Sequence, residues 1–277
     1  MGEHGEVIAA ASAPGMVSKQ QGEHSSARPE GFRSLQPAFS IVVPVHNEAG
    51  NIGALVAEIV EAMTRHGRFE ILCVDDGSDD GTAEVLQRAM AAFPQLRVLQ
   101  HDKRSGQSTA LCSGISRARG DWIVTMDGDG QDDPGEVAAL LERRDQASGK
   151  APVMVISKRR NRRDSWSKKL ASRFANALRR RVLRDGVADS GTGLKLFPRA
   201  LFLEFPRFDH MHRYLPALAL SRGAQILECP VNHRARASGR SHYGIIDRGL
   251  VGIVDLFGVA WLLRRTKRPA VQEKTGE

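Results

Sequence analysis

The chain has 277 residues, 41% of them apolar and 26% charged, with a formal net charge of +8. That supplies the core of one large domain and excludes fibrous and wholly disordered chains. Three cysteines far apart, Cys73, Cys112 and Cys229, with no CxxC pair, exclude a disulfide framework and a Cys-rich zinc site and fit a reducing compartment. The cation excess points to an anionic partner: nucleic acid, a membrane surface or a phosphorylated substrate.

Residues 1–36 are rich in Gly, Ser, Gln, Glu and Ala and are expected to form a disordered tail. They hold no apolar run of secretory-signal type, and Gly2 lacks the Ser or Thr of a myristoylation site. Phe39 to Val45 then reads as a strand, and Asn51 to His66 as a helix with Ile52, Leu55, Val56, Ile59 and Met63 on one face. Strands follow at Phe69–Val74, Leu96–Gln100, Trp122–Met126 and Val153–Ser157. Helices between them are expected over Thr82–Phe93, Ser105–Arg117 and Pro134–Gln146, the last opening on a proline. Such alternation predicts an α/β fold with a mostly parallel sheet flanked by helices. Ligands of such sheets bind outside the carboxyl ends of the strands.

Two of those ends carry acidic clusters. One strand runs into Asp75-Asp76-Gly-Ser-Asp79-Asp80, another into Asp127-Gly128-Asp129-Gly-Gln131-Asp132-Asp133. Asp79 and Asp80, just ahead of a helix, read as turn and N-cap residues. Asp127 and Asp129 read as ligands of a hard cation, Mg²⁺ or Mn²⁺, which one or two carboxylates and substrate phosphates typically hold. An EF-hand loop would need Gly at its sixth position and Glu at its twelfth, where Asp132 and Ala138 stand. An Asp-x-Asp phosphatase motif would have Thr or Val where Gln131 stands.

Taken in order, Ile41-Val-Val-Pro44-Val-His46-Asn-Glu48, Val74-Asp75-Asp76-Gly-Ser, Arg104-Ser-Gly106-Gln, Met126-Asp127-Gly-Asp129-Gly-Gln131, Asp189-Ser-Gly-Thr-Gly193 and Arg236-Ala-Ser-Gly-Arg-Ser241-His242 resemble family-two glycosyltransferases of GT-A fold. Within these the chain is similar to the polyprenyl-phosphate sugar synthases, the group of dolichyl-phosphate mannose synthase. The resemblance covers about Phe39 to Arg264. It implies a nucleoside-diphosphate sugar donor, GDP- or UDP-linked, and inverting transfer of a hexose, mannose favoured. It also implies roles for single residues. Pro44, His46, Glu48, Val74 and Asp76 would line the nucleobase and ribose pocket, joined on the nucleotide by Gly128. Asp127, Asp129 and Gln131 would hold metal and diphosphate. Arg236 and His242 would meet the diphosphate, with Asp129 and Arg236 carrying catalysis, and Asp189 would contact the sugar. Three departures stand out: His46 where Tyr is frequent, Gly128 and Gly130 for Ala and Leu, and His242 for Lys.

From Lys158 to Arg184 there are twelve Lys or Arg against one acid, Asp164. The block lacks the interleaved aromatics of a base-stacking surface, so nucleic acid is not the expected partner. It fits a phosphate acceptor in an anionic membrane. In the family this region contacts the acceptor phosphate, which places Arg159, Lys168 and Ser172 there, the last two four residues apart on one helix face. Arg179, Arg180 and Arg181 read as membrane-facing or solvated. The implied acceptor is a polyprenyl phosphate of undecaprenyl or dolichyl type. Two alternatives are the same donor chemistry on a neutral carbohydrate or protein, which would need a carboxylate base such as Asp132 or Asp133, and a non-catalytic basic module binding nucleic acid or lipid.

Residues 244–264 are apolar on nearly every side, but the run Gly249–Leu263 is interrupted by Asp255. At ~1.5 Å per residue it reaches roughly 22 Å, short of a ~30 Å hydrocarbon core. The expectation is a glycosyltransferase domain over 37–243, a helix over 244–264 at the cytoplasmic membrane interface, and a charged tail over 265–277, with an integral partner possible and no span of its own. The rival is a terminal helix packed on the domain.

Overall fold

The computed structural model describes residues 36–159, 177–187, 190–232, 234 and 245–266. The tail expected over 1–36 lies outside them save for Gln36, as does nearly all of the one expected over 265–277. In chain order the elements are β1 (Phe39–Val45), α1 (Ile52–Met63), β2 (Phe69–Asp75), α2 (Thr82–Ala92), β3 (Leu96–Gln100), α3 (Gln107–Arg117), β4 (Trp122–Thr125), α4 (Val137–Asp145), β5 (Val153–Arg159), β6 (Lys195–Pro198), α5 (Arg199–Leu203), α6 (Leu215–Ser221), β7 (Gln225–Val231) and α7 (Ile245–Arg265). A further helical stretch covers 177–183.

The sheet has seven strands in the order β3-β2-β1-β4-β6-β5-β7. Six run parallel, and β6 alone runs against both its neighbours. Because both faces are covered, the central strands read as unbroken apolar runs. Ile41, Val43, Ile71 and Cys73 face α1, α2 and α4, while Val42, Leu72 and Val74 face α3, α5 and α6. A third, smaller cluster seats Leu256 and Val259 of α7 against Tyr214 and Leu178.

The sequence reading places the first five strands and their helices within a few residues. It misses β6 and β7. Helix α3 starts at Gln107 rather than Ser105 because Asp76 takes the Ser105 and Gly106 N–H groups. Arg179 departs from its expected solvated role: it is buried, ion-paired with Asp185 at 2.7 Å, and donates to the Val187 carbonyl.

Six parallel strands deliver their carboxyl ends to one edge, and β6 begins there. The opposite edge is sealed by buried Glu70, which accepts from Ser40 Oγ (2.7 Å), Arg97 Nη1 (2.7 Å) and the Arg119 N–H. Truncating it leaves the Ser40 hydroxyl and the Arg119 N–H without this acceptor, while Arg97 keeps the Arg117 carbonyl. We expect Glu70→Ala to lower unfolding free energy by about 2 kcal/mol in urea titrations, while ligand affinity at the far edge stays unchanged.

Candidate active site

Two loops at the carboxyl edge are stitched together before any ligand is considered. His46, leaving β1, donates from Nδ1 to the Asp76 carbonyl (3.0 Å), and the Asp76 N–H donates to Val45 O (2.8 Å). Asn47 and Asp79 exchange two bonds, Nδ2 to Oδ1 (2.7 Å) and N–H to Oδ1 (3.0 Å). Asp80 accepts from the N–H groups of Ala49 and Thr82, and the Glu48 N–H donates to Thr82 Oγ1. Asp79 and Asp80 therefore organise turns, as expected.

Asp76 is nearly fully buried and both its oxygens are engaged. Oδ1 accepts from His101 Nδ1 (2.7 Å) and the Ser105 N–H (2.8 Å), and Oδ2 accepts from the Gly106 N–H (2.7 Å). It anchors the loop ahead of α3. Its neighbour Asp75 is fully buried, accepts from the Ser78 N–H through Oδ1, and leaves Oδ2 without a partner among the described residues. Val74 has no exposed surface and packs in the core under α3. Pro44 comes up to the acidic loop: a Cβ at Gly128 would lie 3.0 Å from the Pro44 carbonyl oxygen.

The acidic loop follows β4. Asp127 accepts from Gln107 Nε2 (2.8 Å), and its own N–H donates to Asp132 Oδ2 (3.1 Å). Asp129 Oδ1 accepts from the Gln131 N–H (3.2 Å). Burial, then the negative charges of Asp132 and Asp129, push the Asp127 carboxyl up to about 7; Lys195 and Gln107 pull the other way. Asp132 is raised as well, chiefly by burial, with Lys195 and Arg159 among the opposing influences. Buried Lys195 at the start of β6 thus acts on both Asp127 and Asp132, and Arg159 at the end of β5 acts on Asp132.

Gly193 explains how the carboxylates are packed. A Cβ there would fall 2.4 Å from Asp127 Cγ and 2.5 Å from Asp132 Oδ2. Only a residue without a side chain lets the strand entering β6 form the wall behind both acids.

No three His, Cys, Asp or Glu side chains among the described residues are grouped to hold a metal alone. A hard cation completed by substrate phosphates needs only one or two carboxylates. Asp127 and Asp129 fit that case: burial first and the neighbouring acids second raise the Asp127 carboxyl, and a cation there would favour its charged form. Asp132 and Asp133 have other tasks: Asp133 accepts from the Gly135 N–H (2.9 Å) and from Arg234 Nη2 (3.0 Å).

A family model for glycosyl transferase family 2 matches residues 40–205, more than half of the chain. The chain belongs to glycosyltransferase family two. Among its relatives it is 34% identical over 239 residues to the dodecaprenyl-phosphate galacturonate synthase of Rhizobium johnstonii, covering 83% of this chain and 69% of that one. It is 33% identical over 218 residues to the undecaprenyl-phosphate 4-deoxy-4-formamido-L-arabinose transferase of Edwardsiella ictaluri, covering 78% and 65%. The chain thus spans about two thirds of the length of these curated relatives. Two solved structures share the GT-A fold. Mannosyl-3-phosphoglycerate synthase of Rubrobacter xylanophilus aligns with a TM-score of 0.59 at 20% identity, covering 87% of this chain and 80% of that one. Glucosyl-3-phosphoglycerate synthase of Mycobacterium tuberculosis, solved with Mn²⁺ and UDP-glucose, aligns with a TM-score of 0.59 at 18% identity, covering 84% of each chain. The polyprenyl-phosphate resemblance is borne out in the relatives' names, and the fold in the sheet.

In this family-two domain the structure brings Pro44, His46, Glu48, Asp76, Asp127, Gly128, Asp129, Gln131 and Arg159 to one edge, and sets Val74 beneath it. Asp189, Arg236, His242, Lys168 and Ser172 lie outside the described residues. Sequence reasoning missed Asp75 as a separate candidate, Gln107, Lys195, and His101 as the partner of Asp76. The Gly193 signal was present in the Asp189–Gly193 motif, without the reason for it. We expect Gly193→Ala to abolish Mn²⁺-dependent thermal stabilisation by nucleoside diphosphates while the far-ultraviolet circular dichroism stays that of the unaltered chain.

Proposed function

We propose that this domain moves a sugar from a nucleoside diphosphate to a polyprenyl phosphate, with inversion and with the help of Mg²⁺ or Mn²⁺. The observation that carries the reading is the pairing of the Asp127–Asp129 loop with Arg159 at one sheet edge, in a chain whose relatives are named as polyprenyl-phosphate sugar transferases. The solved neighbour that holds Mn²⁺ and UDP-glucose supports a divalent cation and a nucleotide donor. Galacturonate and formamido-arabinose, the sugars in the relatives' names, lend mannose no support. The proposed donor is a pyranose linked to UDP or GDP.

A bound cation would supply Lewis-acid stabilisation of the departing diphosphate, with Asp127 and Asp129 as its ligands and Gln131 beside them. The chain's own residues do the rest. Asp75, whose buried Oδ2 has no partner among the described residues, and His46 border the place for the nucleoside. Arg159 faces the acceptor phosphate. A phosphate monoester, with a second pKa of about 6, arrives largely as a dianion and needs no general base. Catalysis then rests on alignment and charge neutralisation. That suits a loop whose remaining acids, Asp132 and Asp133, are already committed to hydrogen bonds, and it disfavours a neutral acceptor.

Access to a lipid acceptor is the task proposed for α7. No helix among the described residues is long and apolar enough to cross a membrane. One face of α7 packs on the domain through Leu256 and Val259, the Tyr214 hydroxyl donates to the Gly252 carbonyl (3.1 Å), and Asp255 meets His210 Nδ1 (2.9 Å). The other face leaves Val254 71%, Phe257 57% and Trp261 61% exposed. Beside it runs a groove of about 740 Å³ whose lining mixes Leu178, Phe257 and Trp261 with Arg181, Arg184 and Arg264. Apolar surface bordered by arginines suits the headgroup boundary of an anionic bilayer. The packed face is the one the rival reading expected, and the membrane role is proposed for the exposed face of the same helix.

The decisive test mixes the protein with Mn²⁺, undecaprenyl phosphate and a panel of UDP- and GDP-sugars, and follows glycolipid by mass spectrometry. We expect one donor to give product. Asp129→Asn should reduce turnover at least a hundredfold, and Arg159→Ala should raise the KM for lipid about tenfold without changing donor affinity. Transfer to free sugars but not to lipid phosphate would overturn the reading. Separately, Phe257→Asp with Trp261→Asp should end co-sedimentation with anionic vesicles and keep donor binding, because neither side chain belongs to the packed face.

A further inference from the structure

The residues that leave β7 turn back along the outside of the acidic loop. The Asn232 N–H donates to Glu136 Oε1 (3.0 Å), and the Arg234 N–H donates to the Gln131 carbonyl (2.9 Å). The Arg234 guanidinium then reaches carboxylates on two different elements. Nη2 meets Asp133 Oδ1 at 3.0 Å, and Nη1 meets Glu58 Oε2 on α1. These partners stand 101 and 176 residues away in the chain.

Exposed ion pairs of this kind contribute little to global stability. Their effect here is geometric. A planar guanidinium fixes two acceptors relative to one another in a way that a lysine ammonium does not. On its inner side the loop is held by the Asp127 N–H on Asp132 and the Gln131 N–H on Asp129. On its outer side the described bonds that join it to α1 come from Arg234, and those that join it to the end of β7 come from Arg234 and from the Asn232 N–H on Glu136. The residues between these two sets are the ones proposed to meet the cation and the diphosphate.

We infer that Arg234 is a positioning residue. It ties the acidic loop to α1 and to the exit of β7, so that Asp129 and Gln131 keep one geometry. The inference rests on the reading of Asp127 and Asp129 as cation ligands, and it extends that reading to a side chain that touches neither.

Alanine at 234 keeps the backbone N–H and removes only the guanidinium, so it isolates the fork. Two measurements on the full chain separate the possibilities: hydrogen exchange of peptides spanning 127–136, and Mn²⁺ affinity by electron paramagnetic resonance with UDP or GDP present. In Arg234→Ala we expect loop exchange to rise at least fivefold, with β1 and β2 peptides unchanged, and Mn²⁺ affinity to fall about tenfold. Glu58→Gln should act in the same direction, and the double variant should lose no more than Arg234→Ala alone. Arg234→Lys, which keeps charge without the fork, should recover less than half of the logarithmic loss. Loop exchange within twofold of the unaltered chain would overturn the role, and so would a uniform rise across the sheet, which signals general destabilisation. If loop exchange rises but the unaltered chain binds no Mn²⁺ with either nucleotide, the clamp stands and the metal reading fails.

Discussion

Like charges forced together at the end of β4 set the terms for the rest of this structure. Asp127 and Asp132 share the space against Gly193, and burial with mutual repulsion holds the Asp127 carboxyl near 7. Such crowding is tolerable because the surroundings are built to bear it. Gln107 reaches in from the first turn of α3, Lys195 sits buried at the start of β6, and the Asp127 N–H is turned onto Asp132. The remaining cost is one that a divalent cation would remove. Carboxylates are poor neighbours to one another and good neighbours to a hard cation, which is why the proposed metal role falls on this loop.

Much of the supporting architecture serves to hold the strand ends that deliver these groups. Asp76 spends both oxygens on the loop before α3, which in turn brings Gln107 to Asp127. Asn47, Asp79, Asp80 and Thr82 sew the β1 and β2 loops into one unit. These residues are polar and near the site, yet their hydrogen bonds are to protein. A motif rich in aspartate therefore divides its labour: some acids face the chemistry and others keep the backbone in place.

This division shows where the sequence was legible. Long apolar strands such as Phe39–Val45 and Phe69–Asp75, set between helices with a clear apolar face, announced themselves, and so did the edge to which they point. β6 did not, because Lys195–Pro198 is four residues long and begins with a buried lysine. β7 interleaves Glu228 and Pro230 with its apolar positions. Within the site, the Asp75-Asp76 pair was visible, but not which of the two has a free oxygen, since that depends on loops 25 to 30 residues away. Arg179 looked like one of three solvated arginines until its buried partner Asp185 appeared. For α7 the apolar content was plain, while the face that packs is chosen by Tyr214, a residue distant in sequence. Local pattern fixed the elements; pairings across the fold decided the roles.

The reversed strand β6 divides the sheet in a way that bears on how such a protein can diversify. On one side, β3, β2, β1 and β4 end in the loops proposed to meet the donor. On the other, β5 and β7 end at Arg159 and Arg234. The acidic loop and Gly193 lie at the border between these halves. Loops after β1, β2 and β3 can accumulate substitutions apart from the end of β5, whereas the exit of β7 is tied through Arg234 to the acidic loop and to α1, so those segments change together. On the proposed function, a lineage could alter the donor by drift confined to the loops after β1, β2 and β3, while any change at the acidic loop would have to be matched at the exit of β7.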